Sequence, residues 1–252
     1  GQRPGMTPLV AVAHGSRDPR SARAVAAVLA ALRAEHPGRD VRLAFLDLNT
    51  PSVPQVLGAL AAEGHRRVVV VPLLLGSAFH ARVDLPALLR EAQQRHPLLE
   101  ILCSDILGDD DLLVAAARDR ITATGVSVDD PSVGVALCAV GSRRPEANRA
   151  TESIAPRILA GTAWTREATC FATTDPSVEA AIADLTTRGA RTVVLTPWIL
   201  APGLLWDRAC AAAESMPQVR TAATLAGHGA LARVIDARYT EALSRARALR
   251  AA

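Results

Sequence analysis

Long hydrophobic runs are missing from this 252-residue sequence. Its apolar stretches are broken by charged residues or proline, and none approaches the roughly 18 to 20 residues that a membrane-spanning helix requires. No basic segment followed by an apolar segment and a cleavage site stands at its start. We therefore expect a cytoplasmic protein that does not contact a membrane, and residues 1–5 are left out of the fold prediction.

Aromatic residues are also scarce, since Phe, Tyr and Trp together make up 3% of the chain. So few rings leave little surface on which the bases of a single-stranded nucleic acid could stack. The net charge of +3 is mild and is compatible with an anionic small molecule as partner. We therefore expect no nucleic-acid partner.

The four cysteines, at positions 103, 138, 170 and 210, show no Cys-x-x-Cys spacing. This argues against a zinc knuckle, a thioredoxin-like motif and a clustered iron–sulfur ligand set. Cys103, Cys138 and Cys170 lie in apolar runs typical of strands, which predicts buried, reduced thiols.

Short apolar runs alternate with segments of helical periodicity along the whole chain. The run from Leu9 to Ala13 is typical of a strand that is buried on both faces, and residues 21–36 carry apolar side chains at helical spacing. Regular alternation of this kind predicts right-handed β-α-β units and a parallel sheet.

The second half of the sequence repeats the first. The opening motif Ala13-His-Gly-Ser-Arg-Asp-Pro19 returns as Ala139-Val-Gly-Ser-Arg-Arg-Pro145, and further matches follow in the same order. Their offset falls slowly from 126 residues to 119, which indicates an internal duplication. We predict an α/β protein of two tandem pseudo-repeat domains, residues 1–126 and 127–252, each a four-stranded parallel sheet flanked by helices in a flavodoxin-like arrangement.

The two copies differ in their chemistry. His14 aligns with Val140, His80 aligns near Leu205, and Asp47 aligns with Ala172, so the second copy loses both imidazoles and the carboxylate. It keeps Gly141, Ser142 and Arg143 of the opening motif. The first half is therefore expected to hold the reactive groups.

His14, Asp47 and His80 follow the first, second and third predicted strands. Because the carboxyl ends of neighbouring parallel strands share one edge of the sheet, these side chains are expected to converge there. Two imidazoles and a carboxylate suit a borderline divalent cation such as Fe²⁺, Co²⁺, Ni²⁺ or Zn²⁺. Three ligands leave coordination positions open, so such a site can hold a metal in transit or activate a water molecule.

The motifs around these residues resemble those of the class II chelatases, the sirohydrochlorin chelatase family of CbiX/SirB type in its long, two-half form. The resemblance rests on the opening motif, on Phe45-Leu-Asp47 and on the stretch from Pro72 to Pro86, and it covers nearly the whole chain. It implies a chelatase-like fold and insertion of Fe²⁺ or Co²⁺ into sirohydrochlorin, without ATP, on the way to sirohaem or cobalamin.

The resemblance also implies roles for single residues. His14 and His80 would be the catalytic, metal-handling histidines, and Asp47 would stand at an acidic position that is more often Glu. No cofactor is implied beyond the substrate metal, with Ni²⁺ or Zn²⁺ accepted in vitro.

The implied substrate is an anionic tetrapyrrole with numerous carboxylates, which arginines can pair in bidentate fashion. The candidate arginines are Arg17, Arg82 and Arg143. The backbone N–H groups of Gly15 and Ser16 offer a further anion seat at the start of the following helix. Ser77 and Ser142 stand in the same two motifs and complete the predicted substrate-binding set.

Two other functions use the same residue types. A non-catalytic chaperone for metal or tetrapyrrole would need the site without turnover, whereas a metal-dependent hydrolase with two metals would need an additional carboxylate cluster that the sequence does not offer. An intrachain duplication makes a pseudo-dimer, so we expect a monomer or a weak homodimer.

Overall fold

The computed structural model describes residues 6–76 and 83–252, within which strands and helices alternate. The strands are β1 (Leu9–Ala13), β2 (Val41–Phe45), β3 (Arg67–Pro72), β4 (Glu100–Cys103), β5 (Val133–Ala139), β6 (Arg166–Phe171), β7 (Thr192–Pro197) and β8 (Val219–Thr221). The helices are α1 (Pro19–Glu35), α2 (Val53–Ala62), α3 (Leu85–Arg95), α4 (Asp111–Thr122), α5 (Pro145–Glu152), α6 (Ile154–Ile158), α7 (Val178–Thr187), α8 (Leu204–Ala213) and α9 (Ala230–Ala251).

The strands form two four-stranded parallel sheets with the same topology. Their orders are β2-β1-β3-β4 and β6-β5-β7-β8, so the strand that opens each repeat lies between the next two. All five residues of β1 are buried, as its unbroken apolar run predicts. The predicted α/β class, the four-stranded parallel sheets and their duplication are confirmed.

Capping residues decide where the helices begin. The side chain of Asp18 accepts a hydrogen bond from the backbone N–H of Arg20, so α1 begins at Pro19, two residues earlier than its apolar periodicity predicts. Ser52 and Gln55 form a capping box at the start of α2.

The compact units of the structure do not follow the predicted division at residue 126. One unit comprises Gly1–Gly108 together with Gly229–Ala252, and the other comprises Asp109–His228. Helix α4 therefore packs in the unit built around the second sheet, and α9 packs in the unit built around the first. The compact units differ from the sequence repeats for this reason: α4 ends the first repeat but lies in the second unit, and α9 ends the second repeat but lies in the first unit.

Helix α9 is attached to the first unit by polar contacts as well as by its apolar face. The hydroxyl of Tyr239 donates to the carbonyl of Thr7 at 2.6 Å, and the guanidinium of Arg39 lies 4.3 Å from the centre of the Tyr239 ring. Arg39 also pairs with Asp236 of α9. Arg238 donates to the carbonyl of Ile106 at 2.7 Å, so these contacts hold about one turn of the helix.

Helix α4 is attached to the second unit by arginines that donate to backbone carbonyls. Arg118 donates to the carbonyl of Ile158 at 2.8 Å. Arg120 donates to the carbonyls of Thr224 at 3.1 Å and of Ala226 at 2.8 Å. These bonds satisfy carbonyl groups at the ends of elements, which would otherwise lack partners when a helix covers them.

The cysteine prediction is confirmed in part. Cys138 and Cys170 are buried, reduced and opposite each other in β5 and β6. Cys103 is exposed rather than buried, because β4 is an edge strand and Cys103 is its last residue. Among the described helices, none combines the length and the apolar character needed to cross a bilayer.

Replacing Tyr239 by Phe is expected to destabilise the protein by about 1 kcal/mol. The change removes the hydrogen bond to the Thr7 carbonyl and leaves that part-buried oxygen without this donor, while the ring and its contact with Arg39 remain. Urea unfolding followed by far-UV circular dichroism measures the loss. The variant Leu249→Ala, at an exposed position near the end of the same helix, is the control, and an equal loss in both would contradict this account.

Candidate functional site

His14 is the first residue after β1, and its side chain is exposed to solvent. Its Nδ1 atom lies 3.2 Å from the carbonyl oxygen of Gly15. A carbonyl can only accept, so this contact corresponds to the tautomer with the proton on Nδ1 and the lone pair on Nε2. That tautomer offers Nε2 as a base or as a metal ligand.

Asp47 lies beside His14 at the same edge of the first sheet. The N–H of Asp47 donates to the carbonyl of His14 at 3.0 Å, and the N–H of Leu46 donates to the carbonyl of Ala13 at 2.9 Å. Both reactive side chains are exposed. The structure therefore brings together His14 and Asp47, at the carboxyl ends of two neighbouring parallel strands, as their sequence positions predict.

The third predicted ligand, His80, lies outside the described residues, as do Ser77 and Arg82. Their placement stays a prediction. The strand that precedes them, β3, is paired with β1 on the side opposite to β2. β1 therefore lies between β2 and β3, which is the strand order that the predicted convergence of His14, Asp47 and His80 requires.

The two loops of the site touch at Gly15, whose φ is +101°. A Cβ atom on this residue would lie 1.8 Å from the carbonyl oxygen of Asp47. Only glycine combines this backbone conformation with so close an approach. The motif His-Gly-Ser therefore needs its glycine to let the Asp47 backbone lie against the His14 loop.

Asn49 is a site residue that the sequence reasoning missed. Its Oδ1 atom accepts a hydrogen bond of 2.7 Å from the N–H of Ser16, which ties the loop after β2 to the loop after β1. The signal available in the sequence was only an asparagine two residues after the candidate acid. Its partner lies 33 residues away, and no local pattern indicates that contact.

Of the two N–H groups of the predicted anion seat, that of Ser16 already has a partner within the protein. The N–H of Ser16 is used by Asn49, and the Ser16 hydroxyl accepts from the N–H of Asp18 at 3.0 Å. The start of α1 is covered by the Asp18 carboxylate, and the hydrogen bonds that Arg20 donates lower the pKa of that carboxyl. An ionised carboxylate already fills the place where a ligand anion would have to bind.

The second unit keeps the frame of this site without its chemistry. The N–H of Thr173 donates to the carbonyl of Val140 at 3.0 Å, as the N–H of Asp47 does to His14. The structural counterpart of Asp47 is therefore Thr173, and the predicted alignment with Ala172 is wrong by one position. The loop after β6 is one residue shorter than the loop after β2, and this difference shifted the sequence alignment. Arg143 in this loop is exposed, as Arg17 is in the first unit.

The amide of Ser142 is held in a different way from that of Ser16. Asn148, from the helix that follows in the same repeat, accepts from the Ser142 N–H at 2.9 Å and donates to the Ser142 carbonyl at 2.9 Å. This bond does not reach the neighbouring strand-end loop. The two units therefore share the hydrogen bond between the loops and differ in the side chain that accepts from the serine amide.

Another group of residues, of types that can bind a metal, lies at the opposite, amino-terminal edge of the first sheet. The ligand atoms of Asp40, Glu63 and His65 lie within 4.8 Å of one another. Arg42 donates to both carboxylates, at 2.9 Å to Asp40 and at 2.5 Å to Glu63, and these bonds lower the pKa of each carboxyl. The Arg42 guanidinium already pairs with both carboxylates and cancels one of their two negative charges, so we regard the group as an ion-pair network rather than a candidate metal centre.

The model of the CbiX family matches residues 8–124 and again residues 134–242. This chain belongs to the CbiX family. The two matches follow the sequence repeats, so the first contains β1 to β4 with α4, although α4 packs in the second unit.

The curated relatives of this CbiX protein include both metal specificities. It is 28% identical over 203 residues to the sirohydrochlorin ferrochelatase of Priestia megaterium. This match covers 80% of this chain and 76% of the ferrochelatase. It is 25% identical over 207 residues to the sirohydrochlorin cobaltochelatase of the same organism, which covers 81% and 67%.

Solved structures share the fold over almost the full length. SirB from Bacillus subtilis with Fe³⁺ superposes with a TM-score of 0.84 at 24% identity and covers 97% of this chain and 98% of that one. The sirohydrochlorin chelatase SirB from B. subtilis subspecies spizizenii in complex with cobalt has a TM-score of 0.77 at 23% identity, with 94% and 95% covered.

The substitution Gly15→Ala is expected to destabilise the CbiX protein by about 3 kcal/mol or more, since the new Cβ collides with the Asp47 carbonyl. Gly64→Ala is the matched control: its φ is +87°, but a Cβ there meets nothing within 4 Å, so only about 1 kcal/mol of backbone strain is expected. Urea unfolding compares the two. Equal losses of unfolding free energy in the two variants would contradict a steric collision between residue 15 and the Asp47 carbonyl.

The ion pair of Asp40 is expected to make stability depend on pH. Its carboxyl has a pKa lowered from 3.8 by the hydrogen bonds from Arg42, so its contribution is complete above pH 3.8 and is lost as the pH falls through the lowered value. Asp40→Asn should therefore cost about 0.5 kcal/mol at pH 7, and this cost should shrink as the pH falls below 3.8. Urea unfolding at several pH values tests this, with the exposed Asp129→Asn as control; a constant difference would contradict it.

Proposed function

We propose that this protein is a sirohydrochlorin chelatase, which inserts Co²⁺ or Fe²⁺ into sirohydrochlorin for cobalamin or sirohaem biosynthesis without ATP. The observation that carries the proposal is the backbone hydrogen bond between Asp47 and His14, which lie at one edge of the sheet in a chain of the CbiX family. Its curated relatives are named sirohydrochlorin ferrochelatase and cobaltochelatase. The metal ion is a substrate of this reaction and not a resident cofactor.

Metal insertion releases two pyrrole N–H protons, so the site must accept protons where the cation arrives. The contact between His14 Nδ1 and the Gly15 carbonyl supports a lone pair on Nε2. In the proposed reaction, Nε2 of His14 first binds the incoming cation and then takes one of the two pyrrole protons as the metal passes to the tetrapyrrole nitrogens, while the other proton passes to solvent water at this exposed site. One imidazole can therefore serve metal delivery and deprotonation in turn.

Asp47 has the role of neutralising part of the cation's charge. Its Oδ1 accepts a hydrogen bond of 2.8 Å from the N–H of Leu48, which orients the carboxylate. With His80 as the third ligand in this proposal, three protein groups hold the metal and leave coordination positions for the tetrapyrrole nitrogens. A site of this kind binds a divalent ion without enclosing it.

The carboxylates of the tetrapyrrole are proposed to pair with Arg17, Arg82 and Arg143. All 28 basic side chains of the chain are arginines, and the planar guanidinium matches a carboxylate in bidentate fashion. Arg17 and Arg143 are exposed. In the proposal, Gly15, Ser16 and Ser142 contribute through the shape of their loops, Ser77 through its hydroxyl, and a single duplicated chain works as a monomer.

The chelatase is tested by mixing the purified chain with sirohydrochlorin and Co²⁺ or Fe²⁺ under anaerobic conditions and following the absorption change. His14→Ala and His80→Ala are each expected to lower kcat/KM at least about 100-fold, because each removes a metal ligand and His14 also serves as the base. His36→Ala is the control, since His36 faces Asp236 of α9 and should leave the rate unchanged.

Two outcomes would contradict the proposal. If the wild-type chain gives no acceleration over a protein-free mixture, the protein is not a chelatase, and binding of sirohydrochlorin without turnover would indicate a carrier. If His14→Ala retains the wild-type rate, the site is misplaced. Comparing the rates with Co²⁺ and Fe²⁺ then identifies the preferred metal.

A further inference from the structure

Leu48 has a backbone conformation that is costly for a leucine. Its φ is +65°, and among the described residues it is the one non-glycine with a positive φ. The N–H of Asn49 donates to the carbonyl of Asp47 at 2.8 Å, so a three-residue turn closes around Leu48. A turn with this sign of φ is the rare, strained form, and glycine or asparagine would adopt it at lower cost.

The strained residue belongs to an extra length of chain that only the first unit has. In both units, the phenylalanine that ends the second strand of the sheet donates its N–H to a proline carbonyl, at 2.9 Å from Phe45 to Pro51 and at 3.0 Å from Phe171 to Pro176. Five residues separate the first pair and four separate the second. The unit with His14 and Asp47 thus has one additional residue where Leu48 lies.

Burial of the side chain does not offset the backbone strain at Leu48, because the residue is 51% exposed. Both of its neighbours are tied to the loop of His14, Asp47 through the His14 carbonyl and Asn49 through the Ser16 amide. Leu48 is therefore held next to the candidate metal ligands. A single exposed leucine is ordinary, but one that is kept in a strained turn beside reactive groups points to a contact made only with a ligand.

We propose that Leu48 is a substrate-binding residue whose side chain packs against the apolar face of the tetrapyrrole macrocycle beside His14 and Asp47. This inference rests on the proposed chelatase function and adds to it the residue that recognises the ring rather than its carboxylates. A planar, conjugated ring needs an apolar contact that arginines do not supply. The strain in the free protein is offset when the leucine side chain is removed from water by the bound ring.

The test measures stability, tetrapyrrole binding and metal binding separately in the full chain. Leu48→Gly should raise the melting temperature, because glycine adopts the turn without strain. It should weaken binding of metal-free sirohydrochlorin, followed by absorption, about five- to twentyfold. Binding of Co²⁺ alone should stay unchanged, and KM should rise with little change in kcat, because uniform binding is lost.

Leu48→Ala and Leu98→Ala form a matched pair. Leu98 is 71% exposed in the turn before β4, at the amino-terminal edge of the sheet, so its truncation should leave sirohydrochlorin binding unchanged. Wild-type affinity in both Leu48 variants, or an equal loss in Leu98→Ala, would overturn the role of Leu48 and leave the chelatase function standing. A wild-type chain that does not bind sirohydrochlorin would overturn both.

Discussion

The structure of the candidate site depends on one close approach, between Gly15 and the carbonyl oxygen of Asp47. The absence of a side chain at Gly15 lets two loops that are separated by more than 30 residues lie against each other. Hydrogen bonds from the Asp47 amide to the His14 carbonyl and from the Ser16 amide to Asn49 then hold them in register. The loops that carry the imidazole and the carboxylate are thus positioned largely by contacts of backbone groups.

The duplication separates what the scaffold needs from what the chemistry needs. The second unit keeps the strand order, the positive φ of Gly141 and the hydrogen bond from Thr173 to Val140, so these features belong to the scaffold. It lacks the imidazole, the carboxylate and the additional loop residue. The two halves therefore differ in the candidate reactive groups and in the strained turn, while they share strand order and backbone pairing.

Several features could be predicted from the sequence because their causes are local. Unbroken apolar runs predict buried parallel strands, and proline, serine and aspartate mark helix starts, so the strand and helix pattern and the repeat follow from short stretches. The position of His14 directly after a strand places it at the ligand-binding edge. The motifs also predicted the family, which the match to the CbiX model confirms.

Other features arise from contacts between distant residues, which no short pattern reports. The placement of α4 and α9 in opposite units depends on which apolar face each helix covers, and the use of the Ser16 amide depends on Asn49. The exposure of Cys103 follows from β4 being an edge strand. The sequence by itself determined the α/β class, the duplication and which side chains are candidates for the chemistry, since these follow from local pattern and residue type. Only the tertiary structure decided how the loops interlock, because that depends on which residues meet once the sheet has formed.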